Sequence, residues 1–173
     1  YPEGGRYRAY GKRMLAVNNL AFDNGGRGIH AFNFHAVDVV YNTVYGNLRT
    51  PVLAGLHGEL AFAQSRDIRV YNNLAVATHA SNALSFLAET AGSEAQHNVL
   101  VGGGVHITDQ TDVQQSGNVQ LPSGVPGAIF IDPSLPSPDL HLVASSPASG
   151  VADLALLATV TVDLDGVLRA GAA

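Results

Sequence analysis

Val17-Asn18-Asn19-Leu20, Tyr41-Asn42-Thr43-Val44, Tyr71-Asn72-Asn73-Leu74, Gln96-His97-Asn98-Val99 and Ser116-Gly117-Asn118-Val119 are five segments built around asparagine and closed by Leu or Val. Their second residues fall at 18, 42, 72, 97 and 117, so the pattern returns after 24, 30, 25 and 20 residues. A period in the twenties is too short for paired-helix repeats, which need about 33 to 47 residues. It suits one coil of a three-sided solenoid made of short strands and turns. The sequence therefore predicts an all-β chain, a right-handed parallel β-helix of about five coils, with an irregular C-terminal capping tail.

Two further registers support the coil. Gly28-Ile29-His30-Ala31-Phe32 aligns with Gly58-Glu59-Leu60-Ala61-Phe62, then with Asn82-Ala83-Leu84-Ser85-Phe86, and Gly104-Val105-His106-Ile107 follows. Val37-Asp38-Val39-Val40 and Asp67-Ile68-Arg69-Val70 each precede an asparagine turn. Each coil thus reads as three strands separated by Gly, Asn, Ser or Asp turns. Val17, Leu20, Val44, Leu74, Val99 and Val119 are expected to stack inside, one strand spacing of about 4.8 Å apart. Asparagine tolerates the left-handed backbone of a tight turn and bonds to its copy in the next coil. Asn18, Asn19, Asn42, Asn72, Asn73, Asn98 and Asn118 are accordingly structural.

The chain divides into a lead or partial coil over 1–14, coils over 15–121 and a tail over 122–173. Pro122, Pro126, Pro133, Pro136, Pro138 and Pro147 break any ladder in the last part. The tail is expected to cover the C-terminal end of the solenoid, where apolar core and unpaired backbone would otherwise face water. The loop from Gly46 to Gly58, with Arg49 and Pro51, lengthens one coil and is a candidate binding wall.

A chain of 173 residues suits one domain with a real core. Its net charge of −5 argues against a nucleic-acid partner. The one basic cluster is Arg6, Arg8, Lys12 and Arg13, read as a solvated strand or an end cap. There is no cysteine, hence no disulfide, thiolate metal site or Cys nucleophile. No apolar run reaches the roughly 18 residues of a membrane span. The chain opens at Tyr1 with no visible signal peptide, which suggests a removed leader or a piece of a longer protein.

Asn24-Gly25-Gly26-Arg27-Gly28-Ile29-His30 through Asn42-Thr43-Val44-Tyr45-Gly46-Asn47 resembles the coils of bacterial right-handed parallel β-helix proteins of the pectate-lyase-like superfamily. Phe130-Ile131-Asp132-Pro133, Asp139-Leu140-His141-Leu142, Ser146-Pro147-Ala148 and Asp165-Gly166-Val167-Leu168-Arg169 resemble the closing segment of many secreted members. The resemblance implies a secreted or extracytoplasmic protein that acts on, or binds, polysaccharide. Members usually carry more coils and an N-terminal cap, so this chain corresponds to a C-terminal portion or a truncated member. The resemblance alone raises Ca²⁺; no acidic cluster of the lyase kind is visible, and no metal ligand is assigned.

If Gly28 sits under Gly58, Arg27 lies beside His57 and Glu59 projects near position 29. Lyase cleavage of a uronate needs a base for the C5 proton and cations for the carboxylate. Arg27 and Lys12 are candidates for base or clamp, and His30 or His57 for proton transfer. A hydrolase would need two carboxylates, with Glu59 paired to Asp23, Asp38 or Asp67. The catalytic candidates are therefore Arg27, His30, His57 and Glu59; Asp23, His35, Arg49 and Tyr45 are candidates for holding substrate. The plainer reading makes these exposed polar residues on a strand face. The alternative function is a non-catalytic module that binds or self-assembles through an open N-terminal end.

Overall fold

The computed structural model describes residues 11–108, 111–156 and 159–169. Three parallel sheets form the sides of a solenoid. Sheet A contains β1 (Met14–Val17), β4 (His35–Val40), β7 (Arg66–Tyr71), β10 (Ser93–Gln96) and β13 (Val113–Ser116). Sheet B contains β2 (Leu20–Phe22), β5 (Thr43–Tyr45), β8 (Leu74–Val76), β11 (Val99–Val101) and β14 (Val119–Leu121). Sheet C contains β3 (Ile29–Phe32), β6 (His57–Ala63), β9 (Asn82–Leu87) and β12 (Val105–Ile107). The result is about four full turns, with β13 and β14 beginning a further level, rather than the five coils expected. The basic lead lies partly outside the described residues, as do Arg6 and Arg8; Lys12 is exposed.

The asparagine ladder is present, and the expected alignment of 18, 42, 72, 97 and 117 slips by one residue at coil two alone. Leu20, Thr43, Leu74, Val99 and Val119 pair in one column, so the equivalent asparagines are Asn19, Asn42, Asn73, Asn98 and Asn118. Each Nδ2 donates to the next Oδ1 at 2.8 to 2.9 Å. Each backbone N–H donates to the same oxygen at 2.9 to 3.0 Å. The residue before each rung holds the left-handed turn: Asn18, Tyr41, Asn72, His97 and Gly117 all have φ between 52° and 61°. Aligning on the first asparagine failed at coil two because Tyr41 occupies the left-handed position there.

The core inside the three sheets is one apolar cluster. Val37, Val39, Ile68 and Val70 come from sheet A, Val44, Ala75 and Leu100 from sheet B, and Leu60, Phe62, Leu84 and Phe86 from sheet C. The rings of Phe62 and Phe86 pack at a tilt, their centroids 5.4 Å apart. Of the aliphatics expected inside, Val44 is there. Val17 alternates to the outer face of sheet A, since its neighbour Ala16 packs against the core. Leu74 and Val99 lie on the outer face of sheet B, where they join a second cluster with Tyr45, Val76, Val101, Ile129 and Phe130.

That second cluster is where the tail meets the solenoid. A short helix α1 (Pro126–Ile129) and the antiparallel pair β15 (Phe130–Asp132) and β16 (Asp139–Leu142) lead into a strap laid along sheet B. The strap is clipped to the left-handed residues in turn. His97 Nδ1 meets the Val151 carbonyl at 3.1 Å. Asn72 exchanges two 2.9 Å bonds with the backbone of Asp153. Arg169 lies 3.8 Å over the Tyr41 ring, and Asn18 bonds both Val162 O and Arg169. The tail therefore runs back along a side of the solenoid, toward its first coil.

Candidate functional site

The outer face of sheet C brings together three of the four catalytic candidates. β3 alternates, so Ile29 and Ala31 face the core while His30 and Phe32 face out. Arg27 precedes the strand and donates Nε–H to the His57 carbonyl at 3.2 Å. His57 Nδ1 lies 2.6 Å from Asn82 Oδ1 in the next coil, and its ring stacks on His106 at 3.7 Å, 13° from parallel. With Nδ1–H donated to the Asn82 oxygen, the imidazole lone pair sits on Nε2.

The electrostatics favour neutral imidazoles beside a fixed cation. His30 is held below its ordinary pKa by burial and then by the Arg27 charge. His106 is lowered by burial and by His57. Arg27 is half-buried, and burial lowers its pKa too. It has no carboxylate within ion-pair distance among the described residues. Such a cation is a natural partner for an incoming anion.

Glu59 is a correction. Three steps along β6, from His57 to Leu60, face only two along β9, from Asn82 to Leu84, so β6 carries a bulge. Gly58 makes it possible: its φ is +85°, and a Cβ there would lie 2.3 Å from Ser85 Oγ and 2.5 Å from the Leu60 carbonyl. The extra residue places Ile29 opposite Leu60, not Glu59. Glu59 turns inward, fully buried. Its carboxyl accepts from Asn47 N–H at 3.1 Å and from Asn47 Nδ2 at 2.7 Å. Asn47 in turn accepts from Asn24. Glu59 thus terminates a second, shorter asparagine ladder, and burial pushes its pKa up to about 7.

The four substrate-holding candidates disperse. Asp23 and Arg49 form an ion pair with each other. Tyr45 is buried on sheet B, its hydroxyl donating to the Pro133 carbonyl at 3.0 Å and its ring against Phe130 at 5.7 Å; the tail covers the face it would offer to a sugar. His35 is exposed at the start of β4 in sheet A, in register with Arg66. Asp38 and Asp67, the partners considered for a hydrolase, both bind Arg13 on sheet A.

Two contributors were missed. Asn82 and His106 sit in the quoted repeat copies, but their meeting with His57 depends on the bulge. A signal was available for His106: it shares an outward column with His30 through Ala61 and Ser85. Phe32, its ring 6.4 Å from that of His30, is an exposed aromatic, and Phe34 beyond the end of β3 is another.

Comparison with known protein families, curated proteins and solved structures finds no match. The fold defines the chain as a parallel β-solenoid. Among the described residues no group of three or more His, Asp or Glu side chains is arranged to hold a metal ion. The Ca²⁺ raised by the sequence resemblance therefore has no matching donor set there.

Proposed function

We propose that the chain is an exported relative of the right-handed pectate-lyase-like β-helix proteins and that the outer face of sheet C binds an acidic polysaccharide for lyase-type cleavage. The right-handed turn is the one that parallel strands joined by crossovers adopt almost without exception. The observation that carries the reading is the constrained imidazole of His57, held at Nδ1 by Asn82 and stacked on His106, beside the guanidinium of Arg27, which has no carboxylate partner among the described residues. Arg27 would neutralise the uronate carboxylate, which acidifies the C5 proton. His57 Nε2 would accept that proton. The C4–C5 double bond forms as the C4–O bond to the leaving sugar breaks, and the leaving oxygen takes a proton from water. Phe32 and Phe34 offer faces on which sugar rings pack. A hydrolase is less well supported, because Glu59 faces the interior and Asp23, Asp38 and Asp67 are tied to arginines.

The test is incubation with polygalacturonate, alginate and hyaluronate, following the ultraviolet absorbance of unsaturated uronate products and retardation in polysaccharide-containing gels. Turnover of one polymer is expected, with His57→Ala lowering the rate at least about 100-fold while retardation persists. Arg27→Ala should abolish both. Retardation without product would leave the second reading, a binding module, which the exposed Phe32 and Phe34 favour. Absence of both from all three polymers would retire the proposal.

A further inference from the structure

Between sheet B and the tail lies a cavity of about 590 Å³, within the range of small-molecule sites. Leu20, Thr43, Leu74 and Val99 form its floor, one residue from each of four successive coils. Three strand spacings separate the first from the last, so the slot is about 14 Å long. Val151, bonded through its carbonyl to His97, closes it at the fourth coil. Arg169 stands at the opposite end, stacked on Tyr41 and donating to Asn18 Oδ1 at 2.7 Å.

The polar groups around this slot are not equivalent. Asp139 and Asp165 bracket His141 at 2.5 and 3.0 Å. Asp163 Oδ1 accepts the N–H groups of Asp165 and Val167 in its own turn. Each acid therefore has a partner. Arg169 Nε is buried with no hydrogen-bond partner, and no carboxylate lies within ion-pair distance of its guanidinium, among the described residues. A carboxylate is the partner that a guanidinium binds best.

We propose that the slot binds a linear aliphatic carboxylate, its chain lying along the Leu20–Val99 column and its carboxylate paired with the Arg169 guanidinium. A sugar would leave most of its hydroxyls unpaired against this floor, so the ligand differs in kind from that of sheet C. The site does not depend on the lyase reading.

Dodecanoate is a suitable probe, titrated calorimetrically into the full chain. One equivalent is expected to bind, more tightly than dodecylamine. Arg169→Gln should weaken dodecanoate at least about tenfold while leaving dodecanol unchanged. Thr43→Trp, which fills the floor, should abolish both. Failure of dodecanoate to bind, dodecylamine binding as tightly, or undiminished uptake by Thr43→Trp would overturn the proposal. So would adsorption to phosphatidylcholine vesicles without uptake of free dodecanoate. The comparison of the two head groups and Thr43→Trp keep the test decisive if Arg169→Gln loosens the tail.

Discussion

At the scale of single residues, Glu59 is a carboxyl group fully buried in the solenoid. Its burial favours the protonated form, and the two Asn47 donors oppose this without reversing it. Because its folded pKa of about 7 lies above the ordinary 4.5, the folded chain holds this proton where the unfolded chain has released it. The contribution is full below the unfolded value and is lost as pH rises through the folded one, a change of about 3 kcal/mol. Thermal unfolding should therefore show the midpoint falling between about pH 5 and pH 8. Glu59→Gln, which keeps an acceptor for Asn47, should flatten that slope and be the more stable form at the alkaline end. Glu59→Leu, which strands the Asn47 donors, should be less stable than Glu59→Gln by about 2 kcal/mol at every pH in the series. The residue was legible as acidic and near His57. Its direction was not, because strict alternation is the rule a bulge breaks.

At the scale of elements, the asparagine ladder couples the coils. Asn73 sits at its centre: its side chain donates to Asn98 Oδ1, Val39 O and Tyr71 O, and accepts twice from Asn42. Asn118 ends the ladder with three side-chain bonds, to Asn98 and to Ala95 O. Denaturant titration should find Asn73→Ala less stable by about 3 kcal/mol and Asn118→Ala by about 1 kcal/mol. The gap arises because a buried rung leaves acceptors and donors unpaired on both sides, whereas the last rung has a neighbour on one side only. The ladder was legible in the recurrence of asparagine. Its register was misread by one residue at Tyr41, since a left-handed φ at a tyrosine is uncommon and nothing in the letters marks it.

At the scale of the whole molecule, the tail is a lateral strap that gives sheet B a second apolar layer. Phe130, Ile129 and Tyr45 share a cluster with Leu74, Val76, Val99 and Val101 on what would otherwise be a solvent-facing side. Deleting residues 122–173 should uncover this column. The expected result is strong binding of a hydrophobic dye and association in light scattering, with the near-parallel coils still visible by circular dichroism. A monomeric, dye-negative truncation would show that the strap is dispensable. The arrangement also explains why apolar residues occur on both faces of sheet B strands, a pattern that alternation alone assigns to the interior.

Repetition of short-range chemistry is what the sequence by itself determined: three strands per coil, small turns, and stacked asparagines, because each depends on residues a few positions apart returning at a nearly fixed interval. The packing of the tail and the facing of Glu59 were decided by the tertiary structure. A bulge of one residue at Gly58 turns a predicted surface acid into a buried one. Side-chain contacts such as His97 to Val151 and Asn18 to Arg169 bring segments 54 and 151 residues apart onto one face. Coil interval says which residues repeat; only the folded register says which of them look outward, and it is outward-facing residues that form the His57 cluster and the Arg169 slot.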